Sequence, residues 1–201
     1  MSEHRASPQA APKRRPGRPR SAEAEQAILG AALGLAAEMG LSRMTMEGVA
    51  ARAGVGKATI YRRWSSKEAL LLDAWATCVR PPELPDTGSL RDDVRLFLGG
   101  LVSMRDPQQT KVFPQMIAAA RVNPEVEQRY MEFVAQRREP MRTLLRRGVD
   151  RGELPEGTDL EILHDVLVAP LFYRWLVTEA AVDQAAIDRW VAMALDGAVR
   201  T

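Results

Sequence analysis

The residues best suited to chemistry lie in one short stretch. Lys57, Thr59, Tyr61 and Arg62 set two cations and two hydroxyls close together. Such groups donate hydrogen bonds and carry positive charge, so their counterpart is a polyanion, through phosphate oxygens and the acceptor edges of bases. A second basic stretch precedes them, in which Lys13, Arg14, Arg15, Arg18 and Arg20 alternate with Pro16, Gly17 and Pro19. Residue types for catalysis are sparse. His4 lies in the polar N-terminal stretch, His164 stands alone, and Cys78 is the single cysteine, with no histidine beside it. There is no phosphate-cradling glycine loop and no spaced set of metal ligands. An enzyme is therefore not expected, and neither is a metal or cofactor.

The elements around the basic residues explain how they would be presented. Ile28, Ala32, Leu35, Ala36 and Met39 recur at steps of three and four, the pattern of an amphipathic helix, and Gly40 suits its C-cap. Thr45 is an N-cap candidate for a second helix, Met46 to Ala53, ended by Gly54. A third short helix spans about Lys57 to Arg63. Two short helices joined by a tight turn make a helix-turn-helix, with Val49, Ala50, Val55 and Ile60 locking them together. Ser65 and Glu68 form a capping box for a fourth helix.

Pro81-Pro82-Glu83-Leu84-Pro85-Asp86 marks a boundary. Beyond it Ser89 can cap a helix, Asn123-Pro124 opens one that can run to Arg151, and Pro140 predicts a kink or break in it. Thr158 and Glu161 form a further capping box, and Asp183 caps the last helix. No strand pattern and no repeat occurs. The expectation is an all-α chain: a basic arm over 1–20 with no packed element, a DNA-binding domain over 21–80, a linker over 81–89 and a helical domain over 90–201.

Charge follows that division. The chain holds 28 Lys and Arg against 26 Asp and Glu. The first 80 residues hold 13 against 7, and the remainder 15 against 19. A basic front on an acidic body suits a protein that meets a polyanion at one end only. With no apolar run of membrane-spanning length and no apolar segment after the basic N-terminus, a cytoplasmic protein is expected.

The segment from Thr45 to Trp64, with Ser66-Lys67-Glu68-Ala69-Leu70 after it, resembles the TetR family of transcriptional repressors. The likeness rests on Val49-Ala50, Ala53-Gly54-Val55, Thr59-Ile60-Tyr61 and the aromatic at Trp64, and covers about residues 21–75. Gly56, Ala58, Arg63 and Trp64 depart from residues common in that family. The resemblance implies phosphate contacts from Thr45, Tyr61 and Lys67, with Arg63 as an addition. It implies base contacts from Lys57, Ala58, Thr59 and Arg62, while Trp64 is read as core. In the arm, Gly17-Arg18-Pro19 resembles an AT-hook. Arg15, Arg18 and Arg20 would then either enter a minor groove or serve as a general electrostatic tether.

The same resemblance implies a small-molecule pocket in the C-terminal domain, for which Met104, Phe113, Met116, Phe133, His164 and Phe172 are candidates. It also implies a homodimer through the last two helices, about 159–178 and 183–199, with apolar coverage from Leu163, Leu167, Leu171, Trp175, Ile187, Trp190 and Val191. The expected function is a ligand-responsive regulator, a repressor in the family's common mode, which binds a palindromic operator as a dimer and is released by a small molecule. A DNA-binding activator and a helical interaction module that binds no DNA are the alternatives.

Overall fold

The computed structural model describes residues 19–78 and 81–198. Arg15 and Arg18 lie outside the described residues. Helix α1 spans Pro19–Met39, so Arg20 belongs to its first turn and not to an unstructured arm. Gly40 follows with φ 83°, a left-handed value that glycine adopts without a Cβ penalty. Thr45 caps α2, Met46–Ala53, by accepting a bond from the Gly48 N–H at 3.0 Å. Gly54, at φ 66°, ends it, and α3 follows at once as Lys57–Tyr61. Gly56 stands at the N-cap of α3 with no side-chain bond.

Helix α4 spans Lys67–Cys78. Its cap is Ser66, whose Oγ accepts from the Ala69 N–H at 3.1 Å, and not Ser65. Ser65 instead donates to Glu125. Helix α5 is Leu90–Ser103, capped by Ser89 as expected. Helix α6, Pro107–Val122, is one that the spacing of apolar residues did not single out; Asp106 caps it and a proline begins it. Helix α7 runs unbroken over Pro124–Asp150 with Pro140 inside. Helix α8 is Leu160–Tyr173, and its cap is Asp159 in place of Thr158. A π-helical turn, Arg174–Thr178, leads on, and α9 is Gln184–Ala198, opened by Asp183.

The apolar side chains form two cores. The first joins α1, α2, α3 and α4 through residues such as Ile28, Val49, Ile60 and Leu70. It also takes in Val112, Met116 and Ala120 of α6 and Val126 of α7. The second joins α5, the C-terminal half of α7, α8 and α9 through Phe97, Leu144, Leu167 and Val191. The cores therefore do not divide at 81–89. Helix α6 comes later in the chain yet packs with the N-terminal helices, which ties the helix-turn-helix to the body.

The 81–89 segment is itself held down. Asp93 is completely buried and accepts bonds from the Thr87 N–H and hydroxyl at 2.7 and 2.8 Å. Arg151 donates to its second oxygen at 3.3 Å, so the buried charge is paired. Among the described residues no helix is long and apolar enough to cross a membrane.

Candidate functional site

The outward face of α3 is built from the turn beneath it. Ile60 is fully buried, so the same helix must point its other residues out. Lys57, Ala58 and Arg62 are exposed, Tyr61 is half exposed, and Thr59 is partly buried. Thr45 is exposed at the start of α2. Its oxygen serves the cap, which leaves the hydroxyl proton for an external acceptor. The structure thus gathers Thr45, Lys57, Ala58, Tyr61 and Arg62 around the helix-turn-helix.

Neighbouring carboxylates grade the cations. Lys57 lies 3.1 Å from Glu47, and that hydrogen bond holds the Glu47 carboxyl below its ordinary range. Arg63 pairs with Glu25 of α1 at 2.5 Å and stacks 6.0 Å from the Trp64 ring centroid. Arg63 is therefore committed to α1 before any phosphate arrives. Arg62 has no ion-pair or hydrogen-bond partner for its side chain among the described residues. It is the cation on this face that needs no partner displaced.

Lys67 is placed differently from the expectation. Its Nζ donates to the carbonyls of Leu41, Ser42 and Met44 at 2.8, 3.1 and 3.1 Å. Those bonds use all three ammonium donors, so Lys67 staples the α1–α2 turn to α4 and its ammonium has none left for phosphate. Arg52 makes a second brace, reaching both oxygens of Glu38 at 2.8 and 2.7 Å. Trp64 is buried, as read, and its Nε1 donates to Asp73 at 2.8 Å.

The expected pocket residues separate into two sets. Phe113, Phe133 and Phe172 come together with two tryptophans. Trp75 lies 5.0 Å from Phe113 and 4.9 Å from Phe133, centroid to centroid. Phe113 stacks on Phe172 at 5.3 Å, and Phe172 meets Trp175 edge-on at 5.9 Å. Met116 is fully buried in the first core, and Met104 is exposed at the end of α5. His164 is buried on α8 beside Asp165, at 3.2 Å, and burial pushes its imidazole below the ordinary histidine range. A separate open groove of about 880 Å3 lies between the α1–α2 turn and α6, lined by residues that include Leu41, Lys67 and Gln115.

The last two helices also depart from the expected face. Leu163, Leu167, Leu171, Ile187 and Val191 are buried within the chain's own second core, and Trp175 and Trp190 are half-buried against it. The exposed apolar residues are others: Ile162, Val166, Tyr173 and Val177 run along α8 and its π turn, and Met193 lies on α9.

Residues 28–74 match the family model for bacterial regulatory proteins of the tetR family. Residues 84–194 match the model for the tetracyclin repressor-like C-terminal domain. The chain belongs to the TetR family. This TetR-family chain is 34% identical over 187 residues to the uncharacterized HTH-type transcriptional regulator YdeS of Bacillus subtilis (strain 168), covering 92% of this chain and 94% of that protein. It is 34% identical over 169 residues to the DNA-binding transcriptional repressor TetR of Mycobacteroides abscessus, covering 82% and 88%. Its fold matches the crystal structure of the transcriptional regulator FadR from Bacillus subtilis, solved with stearoyl-CoA, with a TM-score of 0.68 at 22% identity, covering 84% and 96%. Like other members of the TetR family, it is a DNA-binding transcriptional regulator.

Four residues of this TetR-family chain escaped the sequence reading. Trp75 and Arg137 belong to the aromatic row, and Asp73 and Arg129 link α4 to α7. Their local sequence does not mark them, because each also depends on a partner in another helix, Phe113 and Phe133 for Trp75, Ala76 for Arg137, and Asp73 and Arg129 for one another.

Proposed function

We propose that this TetR-family protein is a repressor that binds a two-fold-symmetric DNA operator as a homodimer and releases it when a small molecule occupies the helical body. The observation that carries the reading is the outward face of α3, where Arg62 is exposed and has no side-chain partner among the described residues while Ile60 anchors the helix from behind. The N-terminal residues of such a helix meet base edges in the major groove. Thr45 and Tyr61 flank that face as phosphate contacts. The name of the Mycobacteroides relative, a repressor, supports the sign of regulation.

The dimer reading is supported by the exposed apolar stripe on α8 and the π turn. Ile162, Val166, Tyr173 and Val177 recur at helical spacing and face away from the chain's own core. A second copy would cover them across a two-fold axis and set two α3 helices on half-sites about 34 Å apart. Ligand response is supported by the aromatic row that runs from the first core to Trp175 beside the second, and by the FadR neighbour, which was solved with stearoyl-CoA. A ligand that favours one arrangement of the body would shift the spacing of the two recognition helices.

The test is selection of bound duplexes from a random pool, followed by anisotropy titration at two salt concentrations. An inverted repeat, bound at least about tenfold more tightly than its scrambled sequence, is the expected result. Binding with no sequence preference overturns the reading.

A further inference from the structure

Helix α7 carries six arginines, and five have a carboxylate partner. Arg129 reaches Asp73, Arg138 reaches Asp165 and Glu161, and Arg142 reaches Glu161. Arg146 and Arg147 each lie 3.8 Å from one, Glu139 and Asp86. Arg137 has none among the described residues. Its guanidinium lies 4.8 Å from the Phe133 ring centroid, and it donates one bond, to the Ala76 carbonyl at 3.2 Å. Burial holds it below the ordinary arginine range. A partly desolvated cation beside a carbonyl and a ring, with no counter-charge, is an open position for an anion.

A second unanswered donor lies against the same ring. Trp75 is more than nine-tenths buried, packs on Phe133, and its Nε1 finds no acceptor among the described residues. A buried indole N–H normally has one. Arg137, which has no carboxylate partner among the described residues, and the Trp75 indole N–H, which has no acceptor among them, therefore both lie against Phe133. The surfaces beside them are aromatic faces, from Phe113 to Phe172.

We propose that this row recognises a planar aromatic anion, an aryl carboxylate, whose carboxylate pairs with Arg137 and whose ring stacks on the aromatic faces beside it. The proposal rests on the ligand-responsive reading above and names the class of effector. A carboxylate answers the guanidinium in a bidentate geometry that a neutral group cannot match. A flat ring can stack offset or edge-on against such aromatic faces, which a saturated chain cannot do. Because Trp75 is on α4 and Phe133 on α7, an occupant would bear directly on the helix that follows the helix-turn-helix.

The test uses the full-length protein and isothermal titration calorimetry with three probes of similar size: 2-naphthoate, the neutral 2-naphthalenemethanol, and decanoate. The expected result is that 2-naphthoate binds about tenfold more tightly than either of the others. Arg137→Met removes that preference and Arg137→Lys keeps part of it, while Arg146→Met, at an exposed arginine beside Glu139, leaves it within about twofold. Circular dichroism melts on each variant separate loss of binding from loss of fold. Equal binding of the alcohol, tighter binding of decanoate, no heat from 2-naphthoate at millimolar concentration, or an unaltered preference in Arg137→Met would each overturn the proposal. Decanoate releasing operator DNA where 2-naphthoate does not would remove the aryl class and leave ligand response standing. Ligand response itself fails only when a broad metabolite library releases no operator.

Discussion

Arg129 on α7 donates to both carboxylate oxygens of Asp73 on α4, at 2.8 and 3.0 Å. The second of those oxygens also accepts from the Trp64 indole at 2.8 Å. One carboxylate thus joins α7 to Trp64, three residues beyond the end of α3. Arg129, Phe133 and Arg137 fall at steps of four along α7, so the ion pair and the aromatic row lie on one face of one helix. Phe133 and Arg129 are thus separated by one turn of continuous helix.

Removing that link should lower operator affinity more than stability. Arg129→Met is expected to cost about 1 kcal/mol or less in urea unfolding, because the pair is partly exposed. Operator affinity should fall by about three- to tenfold, and the effector concentration for half release should change with it. Unchanged affinity and unchanged release would show the ion pair to be only a surface contact.

Glu47 pairs with Lys57 at 3.1 Å, so the proposed DNA contact of Lys57 has a competing charge beside it. Glu47→Gln should remove the competing charge and tighten operator binding by about two- to fivefold at low salt. Arg62→Ala should weaken it by about tenfold or more, as no local partner masks that cation. Anisotropy titrations across a salt series read both effects.

The exposed stripe on α8 predicts a monomer on demand. Val166→Glu and Val177→Glu place charge on residues that are 50% and 66% exposed in the single chain, so folding should survive. In a dimer the same charges would be buried against their copies. Light scattering after gel filtration should report a monomer, with loss of operator binding. A dimer of unchanged affinity in both variants would move the interface elsewhere.

Gly148 lets α5 approach α7. A Cβ at that position would lie 2.5 Å from a methyl of Leu90, itself buried. Gly148→Ala should cost about 1–3 kcal/mol by overpacking, read from the urea midpoint. Gly152→Ala, where φ is 73° and no neighbour stands within 4 Å, should cost about 1 kcal/mol through backbone strain alone.

Glu161 on α8 is drawn down to about 2 by hydrogen bonds from Arg142 and Arg138. A carboxyl whose folded value lies below its unfolded value of 4.5 adds stability above that unfolded value and loses it as pH falls toward 2. His164 acts in a higher window. Burial lowers it from 6.5, so the unfolded chain takes up its proton first and stability declines as pH falls below that value. Thermal midpoints against pH should show both steps. Glu161→Gln should flatten the lower one and His164→Gln the upper one.

The sequence by itself determined the helices and the order of their use. Caps at Thr45, Ser89, Asn123 and Asp183 act over three residues, and the periodicity from Ile28 to Met39 acts over three turns. Such signals are complete within a short window, and so the helix-turn-helix was legible without coordinates. The caps misread, at Ser65 and Thr158, were each one residue from the true one, where two adjacent oxygens compete for the same free N–H groups. The tertiary structure decided what lies across space. It gave Lys67 to three carbonyls, Arg63 to Glu25, α6 to the first core, and Leu167 to the chain's own interior and not to a partner. Each outcome depends on which distant charge or ring reaches a residue first, and no window along the chain contains both members of such a pair.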